Sequence, residues 1–168
     1  RDKTQVGLTP ELTRIQQMVQ KLLSLIMCVL SLEHLVMDGH FGNNNAVQMV
    51  WQCGLSLISK LRHDSALYFR YDGPYGGSGA PKKYGDKINY ASIPAQYLKA
   101  TTTEKDVRTD IYQADMLHKE FAQALNVVII VKTNLVSGAR AHVVLFSDDL
   151  DLEHDKLIDY YQLRFQIE

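Results

Sequence analysis

The chain has 168 residues, of which 46% are apolar, and this is enough for one domain with a buried core. Its formal net charge is −1, so the chain as a whole is not the polycation that many nucleic-acid-binding proteins are. The uncharged, leucine-rich run at residues 22–32 is too short to span a bilayer and no signal peptide is evident, which predicts a soluble, cytoplasmic protein.

The beginning of the chain has an α/β pattern. Thr9-Pro10-Glu11 starts a helix, and apolar residues then recur at every third or fourth position, so this helix is predicted to reach about Leu30 and pack under a sheet. A short apolar strand at 35–37 leads to Asp38, and residues 43–45 cap a second helix that precedes a strand at 55–60. Open α/β sheets place their sites at such strand ends.

From residue 67 onward the pattern favours strands over helices. Strands are predicted at 67–71, 107–118, 126–134 and 139–146, and a glycine-rich loop at 72–79 precedes a basic and aromatic tip. The last two strands are joined by a turn, and Asp151 is predicted to cap a final helix.

The two cysteines lie in apolar, helix-like contexts. No secretory segment accompanies them, so Cys28 and Cys53 are predicted to be buried free thiols rather than a disulfide or a metal pair. No zinc-type spacing of Cys and His occurs, and the loop at 76–79 lacks the Gly-Lys-Ser/Thr of a phosphate-binding loop.

Charge is distributed unevenly along the chain. Residues 60–108 hold nine Lys and Arg against five Asp and Glu, whereas residues 148–168 hold seven acids against two bases. A metal site flanked by a phosphate-binding surface would show this pattern, and so can an ordinary globular surface.

Three polar side chains share one face of the final helix. Tyr161, Arg164 and Glu168 stand at i, i+3 and i+7, a spacing that brings them onto one stripe. A carboxylate binds hard cations, and an arginine and a phenol bind phosphate oxygens. The alternative is an ordinary amphipathic helix that exposes Arg164 and Glu168 to solvent.

Tyr161-x2-Arg164-x3-Glu168 resembles the Tyr-Arg-Glu-Lys signature of DDE-type transposases of bacterial insertion sequences, whose catalytic core is RNase H-like. The stretch Leu-Val-Met-Asp-Gly-His-Phe-Gly-Asn at 35–43 looks like the family strand that ends on the second catalytic aspartate, here Asp38. Residues 54–62 are similar to the strand that follows, and the matching blocks cover about a third of the chain.

The resemblance implies an α/β fold: an RNase H-like core, with a mixed sheet and helices, interrupted by a β-rich insertion. Residues 1–168 would be one partial catalytic domain, with core pieces at 1–66 and 135–168 and the insertion at 67–134. No residue matches the first family aspartate, the signature lysine would fall past Glu168, and the chain does not begin with Met. We therefore expect an internal fragment of a longer protein, inactive alone.

The resemblance also implies a site and its partners. Asp38 and Glu168 would bind two divalent ions, Mg²⁺ or Mn²⁺, while Arg164 and Tyr161 hold phosphates. The substrate would be double-stranded DNA at transposon ends, bound by a homodimer of the full-length protein. Asp38 read without the resemblance is a plain Asp-Gly turn residue.

Two other side chains are rivals for this chemistry. Asp149 also follows an apolar strand, although helix capping or loop hydrogen bonding would explain it. His40 could ligate a metal, and a hydrated turn residue is the alternative.

Contacts with the DNA backbone need positive charge and reach, and exposed basic residues also serve solubility alone. The candidates with these properties are Lys60, Arg62, Lys82 and Lys83. Tyr75 and Tyr84 lie near the two later lysines and could stack on bases.

Three functions therefore follow from the sequence. The first is a transposase fragment whose parent protein cuts and joins DNA ends. The second is a non-catalytic remnant that binds DNA or a parent transposase and acts at most as an inhibitor. The third is an unrelated α/β domain with a small-molecule site.

Overall fold

A computed structural model describes residues 2–26 and 28–164. In this part of the chain three α-helices accompany an eight-stranded sheet, which confirms the predicted mixed α/β class and is consistent with an RNase H-like fold. The helices are α1 (Pro10–Ile26), α2 (Asn44–Gln52) and α3 (His154–Leu163). The strands are β1 (His34–Val36), β2 (Ser56–Leu61), β3 (Leu67–Arg70), β4 (Tyr84–Lys87), β5 (Leu98–Glu104), β6 (Val107–His118), β7 (Leu125–Asn134) and β8 (Arg140–Ser147).

The sheet runs in the order β1-β2-β8-β7-β6-β3-β4, with β5 also paired to β6. β1 and β2 are parallel and are joined through α2, whereas the other pairs are antiparallel. A parallel pair requires a crossover connection, and α2 provides it. As a result β1 and β2 end on the same side of the sheet, whereas the antiparallel β8 ends on the opposite side, beside His34 at the start of β1.

Both faces of the central strands are buried. Successive side chains of a strand point to opposite faces, so Leu57 packs toward α1 and α2 while the adjacent Ile58 packs toward α3. β8 shows the same division between Phe146 and Leu145. Helices on both sides explain why β7 and β8 contain long apolar runs in place of strict alternation.

α2 begins where the sequence predicts. Asn43 is its N-cap, and its side chain accepts a hydrogen bond from the Ala46 N–H at 3.0 Å. The middle of α2, residues 46–50, is buried, so this helix holds β1 and β2 in register from one side.

α1 differs from its prediction. The helix spans Pro10–Ile26 and residues 28–29 form a turn, whereas the apolar periodicity predicted a helix to about Leu30. Within α1 only Leu12 is fully buried, and Met18 and Leu25 remain 72% and 67% exposed. The helix packs through one stripe, so the apolar residues outside that stripe face solvent.

Two other local predictions were wrong in part or in full. Cys28 and Cys53 are free thiols as predicted, but Cys28 is exposed and Cys53 at the end of α2 is only partly buried, so only the second thiol lies near the core. Glu153, not Asp151, occupies the N-cap position of α3, and it makes no side-chain capping bond. In the described residues no helix combines the length and the apolarity that a membrane span requires.

Candidate active site

Asp38 lies directly after β1 and Met37, where it caps a single 3-10 turn over Gly39–Phe41. Its Oδ1 atom accepts a hydrogen bond from the His40 N–H at 3.2 Å, and Ser59 Oγ on β2 donates to its backbone carbonyl at 2.8 Å. The turn lies so close to β2 that a Cβ atom at Gly42 would collide with the Lys60 carbonyl. These contacts hold the Asp38 side chain, which is 59% exposed, at the edge of the sheet.

Arg164 reaches Asp38 from the other end of the chain. Its Nη1 atom donates to Asp38 Oδ2 at 2.8 Å, although the two residues are 126 positions apart. The His40 N–H and then the Arg164 guanidinium hold the pKa of Asp38 below its ordinary value, so this carboxylate is ionised at neutral pH. Both interactions stabilise the ionised carboxylate of Asp38, which is the form that could bind a cation.

Tyr161 supports Arg164 from within α3. The two lie on one helical face as their spacing predicts, with the guanidinium 5.3 Å from the Tyr161 ring centroid. The Tyr161 side chain belongs to the core beneath α3, and burial raises the pKa of its phenol. Any phosphate contact by Tyr161 would have to be made by its hydroxyl, because most of its ring is buried. Glu168, the remaining member of the predicted stripe, lies outside the described residues.

Of the predicted DNA-contacting residues, Lys60 lies nearest to Asp38. Its exposed side chain on β2 approaches Gly39 in the turn after Asp38. Arg62 instead forms a two-pronged ion pair with Asp64, at 3.0 and 2.9 Å, so its charge is largely compensated within the same turn.

Lys82 and Lys83 lie at the far side of the sheet, immediately before β4. The Lys82 ammonium stands 4.7 Å from the Tyr71 ring centroid, and Lys83 stands 5.7 Å from that of Tyr84. Lys119, which sequence reasoning missed, lies 5.0 Å from the ring of Tyr68 and 5.9 Å from that of Tyr84. A lysine–tyrosine cluster therefore covers the β3–β4 edge, and the sheet does not bring it together with Asp38.

The two rival side chains have other partners. Asp149 Oδ2 lies 2.8 Å from Nε2 of His34, the first residue of β1. His40 Nε2 lies 3.7 Å from Glu11 on α1 and is largely exposed. Sequence reasoning weighed Asp149 but missed His34, because nothing local marks a histidine and an aspartate 115 positions apart as a pair.

Asp148, next to Asp149 in the chain, has a raised pKa. Burial raises the pKa of its carboxyl, and the Leu57 N–H, which donates to Oδ1 at 2.7 Å, opposes only part of that shift. At a pH between the ordinary pKa of an aspartate and this raised pKa, Asp148 therefore keeps a proton in the folded protein that it has lost in the unfolded chain. Stability must fall as the pH rises from the ordinary pKa of an aspartate toward the raised one.

An Asp148→Asn variant tests this linkage. The amide oxygen can still accept from Leu57 but carries no charge, so the free energy of unfolding should lose this pH-dependent decrease. Urea unfolding across the acidic range measures the slope, with the exposed Asp106→Asn as a matched control. An unchanged slope in Asp148→Asn would show that this carboxyl does not carry the effect.

The described residues do not offer a complete set of metal ligands. Among them no group of three His, Cys, Asp or Glu side chains is placed to hold an ion. Asp38 offers one exposed carboxylate, an oxygen ligand of the kind Mg²⁺ prefers. The described residues therefore offer one candidate ligand for such a site and not a complete set.

Comparisons with known proteins give one match. A family model described as DDE superfamily endonuclease matches residues 1–123, which include Asp38 and the four predicted DNA-contacting residues. Searches of curated proteins and of solved structures find no match. The family match covers well over half of the chain and contains the strand, turn and aspartate described above. The chain therefore belongs to the DDE superfamily of endonucleases.

Proposed function

We propose that this chain is a catalytic-domain segment of a transposase of the bacterial insertion-sequence type. Endonucleases of its superfamily act on DNA and generally use divalent metal ions. The proposed protein cleaves transposon ends and joins them to new DNA, in the cytoplasm and as a homodimer. Its core pieces are 1–66 and 135–168 and its insertion is 67–134, although β8 pairs with both β2 and β7 in one continuous sheet.

The hydrogen bond between Arg164 and Asp38 carries this proposal. It joins the strand-end aspartate to the helix with the Tyr-Arg-Glu pattern, two separate stretches of the sequence that each resemble the transposase family. In the proposed site Asp38 and Glu168 bind Mg²⁺ or Mn²⁺, while Arg164 and Tyr161 orient a phosphate. Two such ions, when bound, supply an activated water or 3′-hydroxyl and stabilise the leaving oxygen.

A cleavage assay on the full-length protein tests the proposal. The substrate is a supercoiled plasmid that carries the DNA flanking the coding region on both sides. We expect nicked and linear products with Mg²⁺ or Mn²⁺ and none after EDTA. Intact plasmid under every metal condition, or cleavage that EDTA does not stop, would contradict it.

The second candidate is a non-catalytic protein that binds DNA or a parent transposase. The lysine–tyrosine cluster at the β3–β4 edge favours it, because that surface offers charge and aromatic rings without any catalytic group. Filter binding over a salt series measures the number of phosphate contacts, since log affinity falls by about 0.9 per contact per unit of log salt. Lys82→Gln together with Lys83→Gln should make this slope shallower. DNA affinity that depends steeply on salt, without any DNA cleavage, would identify the chain as a non-catalytic DNA-binding protein.

A further inference from the structure

The connection between β8 and α3, residues 148–153, is tied to the sheet on two sides. On the β6–β7 side the buried Asn126 donates to the carbonyls of Asp149 and Leu152, at 2.9 and 2.7 Å, and Gln113 donates to the second of these at 2.9 Å. These bonds fix the end of the connection that leads into α3.

On the β1–β2 side two acidic side chains complete the attachment. Asp148 accepts from the Leu57 N–H of β2, and Asp149 accepts from His34 of β1 at 2.8 Å. A carboxylate can only accept, so His34 Nε2 carries the hydrogen. The His34 side chain is 12% exposed, and its ring also lies 5.7 Å from that of Tyr160 on α3. His34 therefore contacts both the connection and the helix that follows it.

These contacts close a circuit around the candidate site. From His34 the chain runs along β1 to Asp38, about 13 Å at the rise of a strand. From Asp149 it runs through α3 to Arg164, which returns to Asp38 at 2.8 Å. The His34–Asp149 bond lies at the opposite end of this circuit from the Arg164–Asp38 bond. Once the His34–Asp149 bond is released, any movement of α3 relative to β1 changes the contact between Arg164 and Asp38.

We infer that His34 and Asp149 are positioning residues, which hold α3 in the one placement that brings Arg164 to Asp38. This inference rests on the proposed function, for which a shift of about 1 Å at the reacting groups costs about 10²-fold in rate. The competing explanation is a contact that contributes to stability alone, and it makes different predictions.

His34→Phe in the full-length protein is the main test. Phenylalanine keeps a ring beside Tyr160 but removes the donor to Asp149. We expect single-turnover cleavage to fall about 10- to 100-fold, as for residues that orient the groups of a metal site, with DNA affinity unchanged. In His34→Gln an amide nitrogen can take the place of Nε2, so this variant should recover most of the rate.

The matched control is Thr101→Val. It removes a hydrogen bond to Asp110 that is also 2.8 Å long and partly buried but lies on β5 and β6. Its melting temperature should fall as in His34→Phe while its cleavage rate stays at the wild-type value. If His34→Phe also cleaves at the wild-type rate, the bond serves stability alone.

A distance measurement separates this inference from the proposed function. Spin labels at the exposed Glu33→Cys and Gln162→Cys, with the native cysteines replaced by serine, report the spacing of β1 and α3. Pulsed EPR should give one narrow distance in the wild type and in Thr101→Val, and a broadened or shifted one in His34→Phe. If His34→Phe changes the distance but the wild-type protein cuts no DNA, the positioning role is retained and the transposase proposal is refuted. An unchanged distance in His34→Phe would overturn the positioning role whatever the activity.

Discussion

Asp38→Asn is expected to abolish DNA cleavage by the full-length protein while leaving DNA binding intact. The substitution keeps the size of the side chain, the bond from the His40 N–H and the capped turn, but it removes the negative charge. A bound metal ion contributes several kcal/mol to transition-state charge stabilisation, so loss of one of its ligands should lower the rate by about 10³-fold or more. Plasmid cleavage and filter binding on the same preparation measure the two effects.

Asp64→Asn is the matched control for this substitution. Asp64 is likewise exposed and paired with an arginine, and the Arg62 side chain holds its pKa below the ordinary value. Its side chain bonds to Arg62 beyond the end of β2 and not to the Asp38 turn, so its loss should leave the cleavage rate near that of the wild type. Cleavage retained by Asp38→Asn would remove this aspartate from the site and the transposase proposal with it.

Arg164→Gln is expected to lower cleavage by about 10²- to 10³-fold, the range observed when one stabilising donor is removed from an active site. Glutamine cannot supply the charged, forked donor that Arg164 directs at Asp38. Arg164→Lys should recover only part of the activity, because an ammonium is a point charge and cannot contact a carboxylate and a phosphate with one planar group. Cleavage rates of the three proteins at equal DNA occupancy make the comparison.

Arg108→Gln controls for the loss of an ion pair as such. Arg108 bonds to Asp110 at 3.0 Å on β6, remote from β1 in the order of the sheet. It should alter stability and leave the rate unchanged. If Arg164→Gln behaves in the same way, its contact with Asp38 belongs to the scaffold and not to the chemistry.

Local signals in the sequence were enough for much of the fold. Asn43 caps α2 because its short side chain can accept from a helix N–H, and that chemistry is visible within four residues. β6 was predicted over the same residues that form it, and β7 and β8 within one residue at each end, because they are long and apolar. The strand that ends before Asp38 could also be read in this way.

Elements without a local signal were missed or misplaced. β4 and β5 have few apolar residues and exist because β3 and β6 offer them hydrogen-bonding partners. Asp151 was assigned to the cap of α3 on residue type, but the backbone begins the helix two residues later. The exposed side of α1 could not be foreseen, since composition does not say which stripe meets the core.

The same distinction between local sequence signals and tertiary packing applies to the candidate site. Residue types, together with a family resemblance, supplied Asp38 and Arg164 as separate candidates, since each stands in a short recognisable stretch. Their contact at 2.8 Å, and the His34–Asp149 bond behind it, depend on how β1 and β8 are placed around β2 and on where α3 then packs. Only tertiary packing decides this placement, because pairs more than 100 positions apart leave no trace in local periodicity.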